Sequence, residues 1–151
     1  MCRNWSAAME QGMTGDAPRS TGSAASGPPD LTVFYDGDCP LCRSEIGFYR
    51  GCAGAERIAF VDVATTFGGN VAPDLDKRTA LARFHARRTD GTLVSGAAGF
   101  GELWLALPGW RWLGRVVTVP AVSPIAEAAY RGFLRLRPAI QWLWRRRSGS
   151  I

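Results

Sequence analysis

The sequence feature that most constrains this chain is a pair of cysteines, Cys39 and Cys42, that follows a short apolar run. Residues 31–35 are β-branched and aromatic, which is typical of a buried strand. The Asp-Gly-Asp that follows is typical of a turn, and Pro40 suits the first position of a helix. Cys39 is therefore expected at the N-terminus of a helix, with Cys42 one turn later.

The segments after this junction predict a βαβ unit. Cys42, Ile46 and Tyr49 share one helix face, and the helix is expected to end around Gly51 or Gly54. Residues 58–63 read as a second strand, parallel to the first. An irregular loop over 64–77 is expected next. Residues 81–88 and 92–95 then read as antiparallel strands joined by the Asp90-Gly91 hairpin turn.

The last third of the chain reads as helical. One helix is expected to end at Pro108-Gly109, and another to cover 124–137 until Pro138 interrupts it before a last short amphipathic helix. Residues 1–30 are rich in Gly, Ser, Ala and Pro, so a disordered tail is expected there. The predicted fold class is α/β and thioredoxin-like, formed by residues 31–151: a βαβ unit, a β-hairpin and helix, and C-terminal amphipathic helices.

The spacing of the two cysteines suits thiol–disulfide chemistry. Side chains three apart in a first helical turn can bring their sulfurs to bonding distance. The first sulfur, expected to be exposed, faces unpaired backbone N–H groups that favour its thiolate, so Cys39 is the predicted nucleophile. Cys42, expected to be more buried, is the predicted resolving thiol.

Charged neighbours complicate the expected acidity of Cys39. Asp36 and Asp38 should raise its pKa, whereas Arg43 opposes them, so a strongly acidic cysteine is not predicted. Asp38 is open to two interpretations, a helix cap or a proton acceptor for Cys42, of which capping is favoured. Asp38, Pro40 and Arg43 are accordingly taken as neighbours of the site.

A zinc site is the main alternative to a redox pair, because two of the four ligands of a zinc site can come from the same CxxC pattern. Cys52 is expected on the same helix as Cys42, about 15 Å further along it, as a buried helix residue. His85 is the only histidine and is interpreted as a partly covered strand residue. Neither is placed to complete a metal site, so no metal and no cofactor are predicted.

Cysteine content and charge bear on compartment and partners. Four cysteines are too few for a disulfide framework in 151 residues, and no signal peptide or membrane-spanning helix is predicted, so a cytoplasmic location is expected. From Leu103 onward the chain has eight arginines and one acid, Glu127. These arginines are interpreted as solvated helix faces, with weak contact to an anionic membrane surface as the alternative. No nucleic-acid partner is predicted.

The stretch Val33-Phe34-Tyr35-Asp36-Gly37-Asp38-Cys39-Pro40-Leu41-Cys42 resembles the signature of the DCC family of thiol-disulfide oxidoreductases. The resemblance covers about residues 31–145. It extends to Phe60-Val61-Asp62, Asp90-Gly91, Ser95-Gly96-Ala97, Leu103-Trp104 and Leu107-Pro108-Gly109-Trp110.

The resemblance implies a thioredoxin-like fold with Asp36, Cys39 and Cys42 at the site. The expected activity is disulfide exchange of the protein-disulfide reductase type. The expected partners are a disulfide-bearing protein or small thiol and a separate thiol reductant. One departure concerns the cis-proline that thioredoxins place before their third strand, where Thr79-Ala80 is expected here. Alternatives are a redox-gated or membrane-surface binding module and a zinc-binding structural module.

Overall fold

The computed structural model of this chain describes Cys2 and residues 27–148. Nearly all of the tail predicted for residues 1–30 lies outside the described residues, so the boundary at residue 31 stays a prediction. The described strands are β1 (Leu31–Tyr35), β2 (Ile58–Asp62), β3 (Asn70–Ala72), β4 (Leu75–Asp76), β5 (His85–Arg88) and β6 (Leu93–Ser95). The described α-helices are α1 (Pro40–Arg50), α2 (Lys77–Ala82), α3 (Ala97–Ala106), α4 (Arg111–Thr118) and α5 (Ser123–Ser148).

The main sheet has four strands in the order β2-β1-β5-β6. β1 pairs in parallel with β2, with Val33 opposite Phe60, and antiparallel with β5, with Val33 opposite Ala86. β5 and β6 form the antiparallel hairpin predicted around Asp90-Gly91. The βαβ unit followed by a hairpin and a helix confirms the predicted thioredoxin-like α/β fold class.

β1 is buried on both faces, as its continuous apolar run predicts. On one face, Val33 and Tyr35 pack with Ile46 of α1 and Leu103 of α3. On the other face, Phe34 belongs to a second cluster, together with Val63, Leu75 and Ala80. β1 therefore ends in a rigid, fully covered environment, and the turn that carries the cysteine pair begins there.

The strand predicted for residues 81–88 is wrong in its first half. Residues 77–82 form α2, and β5 begins only at His85. Asp76 caps α2, because its carboxylate accepts the Thr79 N–H at 2.9 Å. The segment before it is also more ordered than the irregular loop predicted for 64–77, since β3 and β4 pair there as a small antiparallel ribbon.

The interruption predicted at Pro138 does not occur, because α5 is one helix that contains this proline. A proline removes one backbone hydrogen bond and tends to kink a helix. Contacts that hold the part of α5 before Pro138 against the rest of the protein offset that cost. Before it, the Tyr130 hydroxyl accepts the Phe84 N–H at 2.8 Å. One residue before it, Arg137 pairs with Asp36. No helix in the described part of the chain is both long and apolar enough to cross a membrane.

Cys52 lies two residues beyond the end of α1, so its predicted placement within the helix is wrong. It is buried, as expected, but it forms a disulfide with Cys2. Sequence reasoning missed this pair because fifty residues separate the two cysteines, and only the folded chain brings Cys2 to Cys52. Cys39 and Cys42 are both free thiols.

Candidate active site

Cys39 is the N-cap of α1, and Pro40 follows at the first helical position, as predicted. The Cys39 backbone is extended, with φ −82° and ψ 113°, and its Sγ accepts the Cys42 backbone N–H at 3.3 Å. The sulfur thus takes the place that a Ser or Asp oxygen occupies at most helix starts. A sulfur held there interacts with the positive end of the helix, which stabilises a thiolate.

The expectation that Cys39 is the exposed member of the pair is wrong. Cys39 is 1% exposed, whereas Cys42 is partly exposed. The cause lies in α5, which packs over the start of α1 and brings Arg137 and Gln141 to Cys39. Because Cys39 and Arg137 lie far apart in the sequence, no local sequence pattern predicts that α5 covers Cys39.

The pKa values of the two thiols are shifted in opposite directions. The pKa of Cys39 falls from 9.0 to about 5, chiefly because the Cys42 side chain hydrogen-bonds to it. Burial opposes this shift, while the Cys42 N–H, the Gln141 side chain and the charge of Arg137 support it. The pKa of Cys42 is raised, first by its hydrogen bond to Cys39 and then by burial. The pair therefore shares one proton near neutral pH, and that proton resides on Cys42.

The strongly lowered pKa of Cys39 was not predicted from the sequence. The two flanking aspartates were expected to oppose acidity, but Asp36 is paired with Arg137 at 2.5 Å and Asp38 is exposed. Arg43, expected to offset these acids, donates instead to the Gly37 carbonyl at 3.2 Å. Arg137 provides the positive charge next to the thiolate.

Asp38 is not the helix cap, so this prediction is also wrong. Cys39 holds that position, and the Asp38 backbone N–H donates to the Asp36 carboxylate at 3.0 Å. Asp36 therefore has two partners, the turn that precedes the cysteines and the guanidinium of Arg137. It connects the start of α1 to α5.

Gly37 is required by a close approach between this turn and the end of β2. A Cβ at this position would lie 2.0 Å from Oδ2 of Asp62. The Gly37 N–H donates to the other oxygen of Asp62 at 3.0 Å, and the same oxygen accepts the Ala64 N–H at 2.9 Å. Asp62 thus fixes the turn that positions Cys39. The Asp36-Gly37-Asp38 turn and the Phe60-Val61-Asp62 segment, which both belong to the sequence signature, therefore act together to position the dithiol.

Glu45 is a site neighbour that sequence reasoning missed. It lies one turn after Cys42, and both residues line a cavity of about 40 Å³ between α1 and α5. Burial raises the pKa of Glu45 to about 7. Its carboxylate accepts the Tyr49 hydroxyl at 3.1 Å, and that hydroxyl accepts the Trp104 indole N–H at 2.9 Å. An acid three residues after a helical CxxC was the available signal in the sequence.

No peptide bond in the described residues is cis. Thr79-Ala80 was expected to precede the third strand, but these residues lie within α2 and do not directly precede β5. Arg83 and Phe84 directly precede the strand, and the backbone N–H of Phe84 is already bonded to Tyr130 of α5. In this chain, α5 therefore covers the backbone that leads into β5.

His85 lies on β5 and is buried, which agrees with its interpretation as a strand residue. Its Nδ1 lies 2.8 Å from the Arg83 carbonyl, and burial lowers its pKa. It does not line the cavity beside Cys42. Within residues 27–148 and Cys2, no three side chains of His, Cys, Asp or Glu are grouped as metal ligands.

Comparisons with known proteins agree with this arrangement. A protein of Arabidopsis thaliana, described by its name as uncharacterized and chloroplastic, is 27% identical over 114 residues. The match covers 71% of this chain and 50% of the relative, so this chain spans about half the length of that protein. No solved structure matches. The family model described as DCC1-like thiol-disulfide oxidoreductase matches residues 33–143, which include the whole site. The chain belongs to the DCC1-like thiol-disulfide oxidoreductase family.

Proposed function

We propose that this chain is a thiol-disulfide oxidoreductase of the protein-disulfide reductase type. In this proposal Cys39 is the nucleophile and Cys42 is the resolving thiol. The observation that carries the proposal is the opposite shift of the two pKa values, with Cys39 at about 5 and Cys42 raised. At neutral pH the Cys39 sulfur is a thiolate, which is the reactive form, while Cys42 keeps its proton.

The reaction proceeds in two exchanges. The Cys39 thiolate attacks one sulfur of a substrate disulfide, a mixed disulfide forms, and the other substrate sulfur leaves as a thiolate that takes up a proton. Cys42 then loses its proton and attacks the Cys39 sulfur, which releases the second substrate thiol and leaves a Cys39–Cys42 disulfide. Two electrons pass to the substrate. A separate thiol reductant restores the dithiol by the reverse exchange.

Asp36 acts in this proposal as a positioning residue. It pairs with Arg137 at 2.5 Å and accepts the Asp38 N–H, so it holds the guanidinium close to the Cys39 sulfur. The charge of Arg137 stabilises the thiolate before attack and each time Cys39 leaves as a thiolate. Pro40 starts the helix, and Arg43 secures the turn through Gly37.

The cover over Cys39 restricts which substrates can react. Since the residue is 1% exposed, part of α5 or the turn must move before a protein disulfide reaches the sulfur. The substrate class is a disulfide-bearing protein or a small disulfide such as oxidised glutathione. The proposal places the chain in a reducing compartment such as the cytoplasm, which supplies the thiol reductant, although a disulfide such as Cys2–Cys52 is rare in that compartment.

Single cysteine variants test the assignment of roles. Reduced full-length protein is incubated with insulin or oxidised glutathione, and turnover is followed with a thiol reductant present. Cys42→Ser is expected to accumulate a mixed disulfide through Cys39, and Cys39→Ser to form none and lose turnover. Turnover that survives Cys39→Ser contradicts the proposal.

The zinc alternative is tested by metal analysis of freshly purified protein. The proposed redox role requires Cys39 and Cys42 to be available for exchange, so zinc well below one ion per chain is expected. One equivalent of zinc that is lost in Cys42→Ser would favour a structural metal module instead.

A further inference from the structure

The exposed large apolar side chains of the described residues are concentrated in one part of the chain. Phe67 lies alone in the loop after β2. The other seven, all between 44% and 69% exposed, are Trp112, Val116, Val119, Ile125, Leu136, Trp142 and Leu143. They belong to α4, α5 and the segment between these helices. Isolated exposed apolar residues are normal, but a concentration of this kind marks an interaction surface.

On α5 these residues share one face. Ile125, Leu136 and Leu143 are separated by eleven and seven residues, which brings them to nearly the same angle around a helix of 3.6 residues per turn. Three small exposed residues lie between them in the same direction: Ala129, Gly132 and Ala139. We call this set of six residues the outer stripe. It is apolar along its whole length.

The opposite face of α5 is the one that packs on the rest of the molecule. Tyr130 contacts Phe84 and Phe100, and Arg137 reaches Asp36 at the dithiol. These inward residues lie about 100° or more around the helix from Ile125, Leu136 and Leu143. A partner bound to the outer stripe therefore does not occupy the site of Cys39.

The charge beside the outer stripe has one sign. Arg135, Arg146 and Arg147 are exposed on this side of the helix, Arg145 is exposed at the same end of it, and no acidic residue follows Glu127 in the chain. Glu127 itself is turned inward, where it pairs with Arg83 and accepts the Ala97 N–H, and it also pairs with Arg131. The outer face of α5 thus combines apolar side chains with uncompensated positive charge.

Trp142 lies at the margin between the apolar and basic parts of this face. It is 54% exposed, and the Arg146 guanidinium lies 3.9 Å from the centroid of one of its rings. Tryptophan and arginine are the side chains that occupy the boundary between lipid headgroups and acyl chains. Their pairing at the edge of an apolar stripe is typical of a helix that lies in a membrane interface.

We propose that the outer face of α5 binds to an anionic lipid surface, with the helix parallel to it and the outer stripe inserted between the headgroups. Charge complementarity selects this occupant over a second copy of the chain. A two-fold dimer through this face would oppose α5 to α5, either parallel, with arginines against arginines, or antiparallel, with the arginines against a helix start whose one acid, Glu127, is already paired. An anionic surface instead attracts each of them.

Vesicle binding by the full-length reduced protein tests the proposal. The protein is sedimented with vesicles of phosphatidylcholine alone and with vesicles that contain phosphatidylserine, at low and high salt. Binding is expected only to the anionic vesicles, and it should weaken as salt screens the surface charge. No binding to anionic vesicles at low salt, or equal binding to both compositions, overturns the proposal.

Two variants and a matched control locate the binding to α5. Leu136→Glu in the outer stripe should abolish binding, and the triple change of Arg145, Arg146 and Arg147 to Gln should weaken it at least ten-fold. Phe67→Glu replaces an exposed apolar residue in the loop after β2, outside α5, and this variant should bind vesicles as the unaltered protein does. Equal losses in the Phe67 and Leu136 variants would contradict the assignment.

Two further measurements separate fold and oligomer effects from lipid binding. The alkylation rate of Cys39 should be unchanged in both α5 variants, because the outer face points away from the dithiol. Sedimentation equilibrium without lipid should show the same mass for the unaltered protein and Leu136→Glu. A dimer that only this variant dissociates would assign the outer stripe to self-association and overturn the proposal.

Discussion

Replacing Arg137 by Ala should make Cys39 a weaker acid. The pKa of Cys39 lies about four units below 9.0, which corresponds to about 5 kcal/mol in favour of the thiolate. The hydrogen bond from Cys42 is the largest cause, and the Arg137 charge is a smaller one. A single opposite charge at close range shifts a pKa by about 1 to 3 units, so we expect a rise of about 1 unit from the loss of Arg137.

The rise has a distinct signature in the pH profile of alkylation. At about pH 5.5, a thiol of pKa about 5 is about three-quarters thiolate, and one of pKa about 6 is about one-quarter thiolate. Iodoacetamide should therefore react about three times more slowly with Cys39 in Arg137→Ala near this pH. Well above both pKa values the two rates should converge. Cys42 stays protonated near this pH because its pKa is raised, and peptide mass mapping confirms that the alkylated sulfur is that of Cys39.

Two variants separate charge from packing in this experiment. Arg135→Ala removes an exposed arginine from the same helix and should leave the profile unchanged. Arg137→Lys keeps the charge and should restore much of the shift, though not the paired contact with Asp36. A profile of Arg137→Ala that coincides with that of the unaltered protein would refute the assignment of this arginine. A uniform change at every pH would indicate altered access to the sulfur instead of altered acidity.

Two further predictions concern the groups that support the site. Gly37→Ala should destabilise the fold by about 1 to 3 kcal/mol in urea unfolding, because its Cβ would overlap the Asp62 carboxylate, whereas Gly109→Ala, with open space around its Cβ, should have little effect. The Glu45 carboxyl titrates at about 7 in the fold against 4.5 unfolded, so it favours the folded state below about pH 4.5 and loses that preference as pH rises to about 7. Between pH 5 and pH 8, the free energy of unfolding of Glu45→Gln should therefore rise by up to about 3 kcal/mol relative to that of the unaltered protein. A difference between the two free energies that does not change with pH would contradict the raised pKa.

The sequence predicts the parts of this fold that depend on local spacing. A β-branched run, a turn of Asp-Gly-Asp and a proline at the first helical position specify the strand-to-helix junction, and the Asp90-Gly91 turn specifies the hairpin. The same features place Cys39 and Cys42 within one helical turn. These predictions held because contacts between near neighbours in the chain determine where the turns lie and where the helix begins.

The errors arise where a helix cap or a distant contact overrides the local apolar pattern. Leu81 and Ala82 join a helix because the Asp76 side chain caps it, although the apolar pattern of residues 81–88 suits a strand. Pro138 stays inside α5 because Tyr130 and Arg137 bind that helix to the sheet and to the dithiol turn. In both cases tertiary or capping interactions exceed the small free energy of intrinsic propensity.

Local sequence patterns are sufficient to predict a CxxC dithiol at the start of a helix in a βαβ unit. The surroundings of the two sulfurs depend on how the whole chain folds. Arg137 and Gln141 lie about a hundred residues after Cys39, and they bury its sulfur while lowering its pKa. Periodicity and propensity describe neighbours within a few residues, whereas the electrostatic environment of a thiol depends on every charge within several ångströms, wherever it lies in the chain.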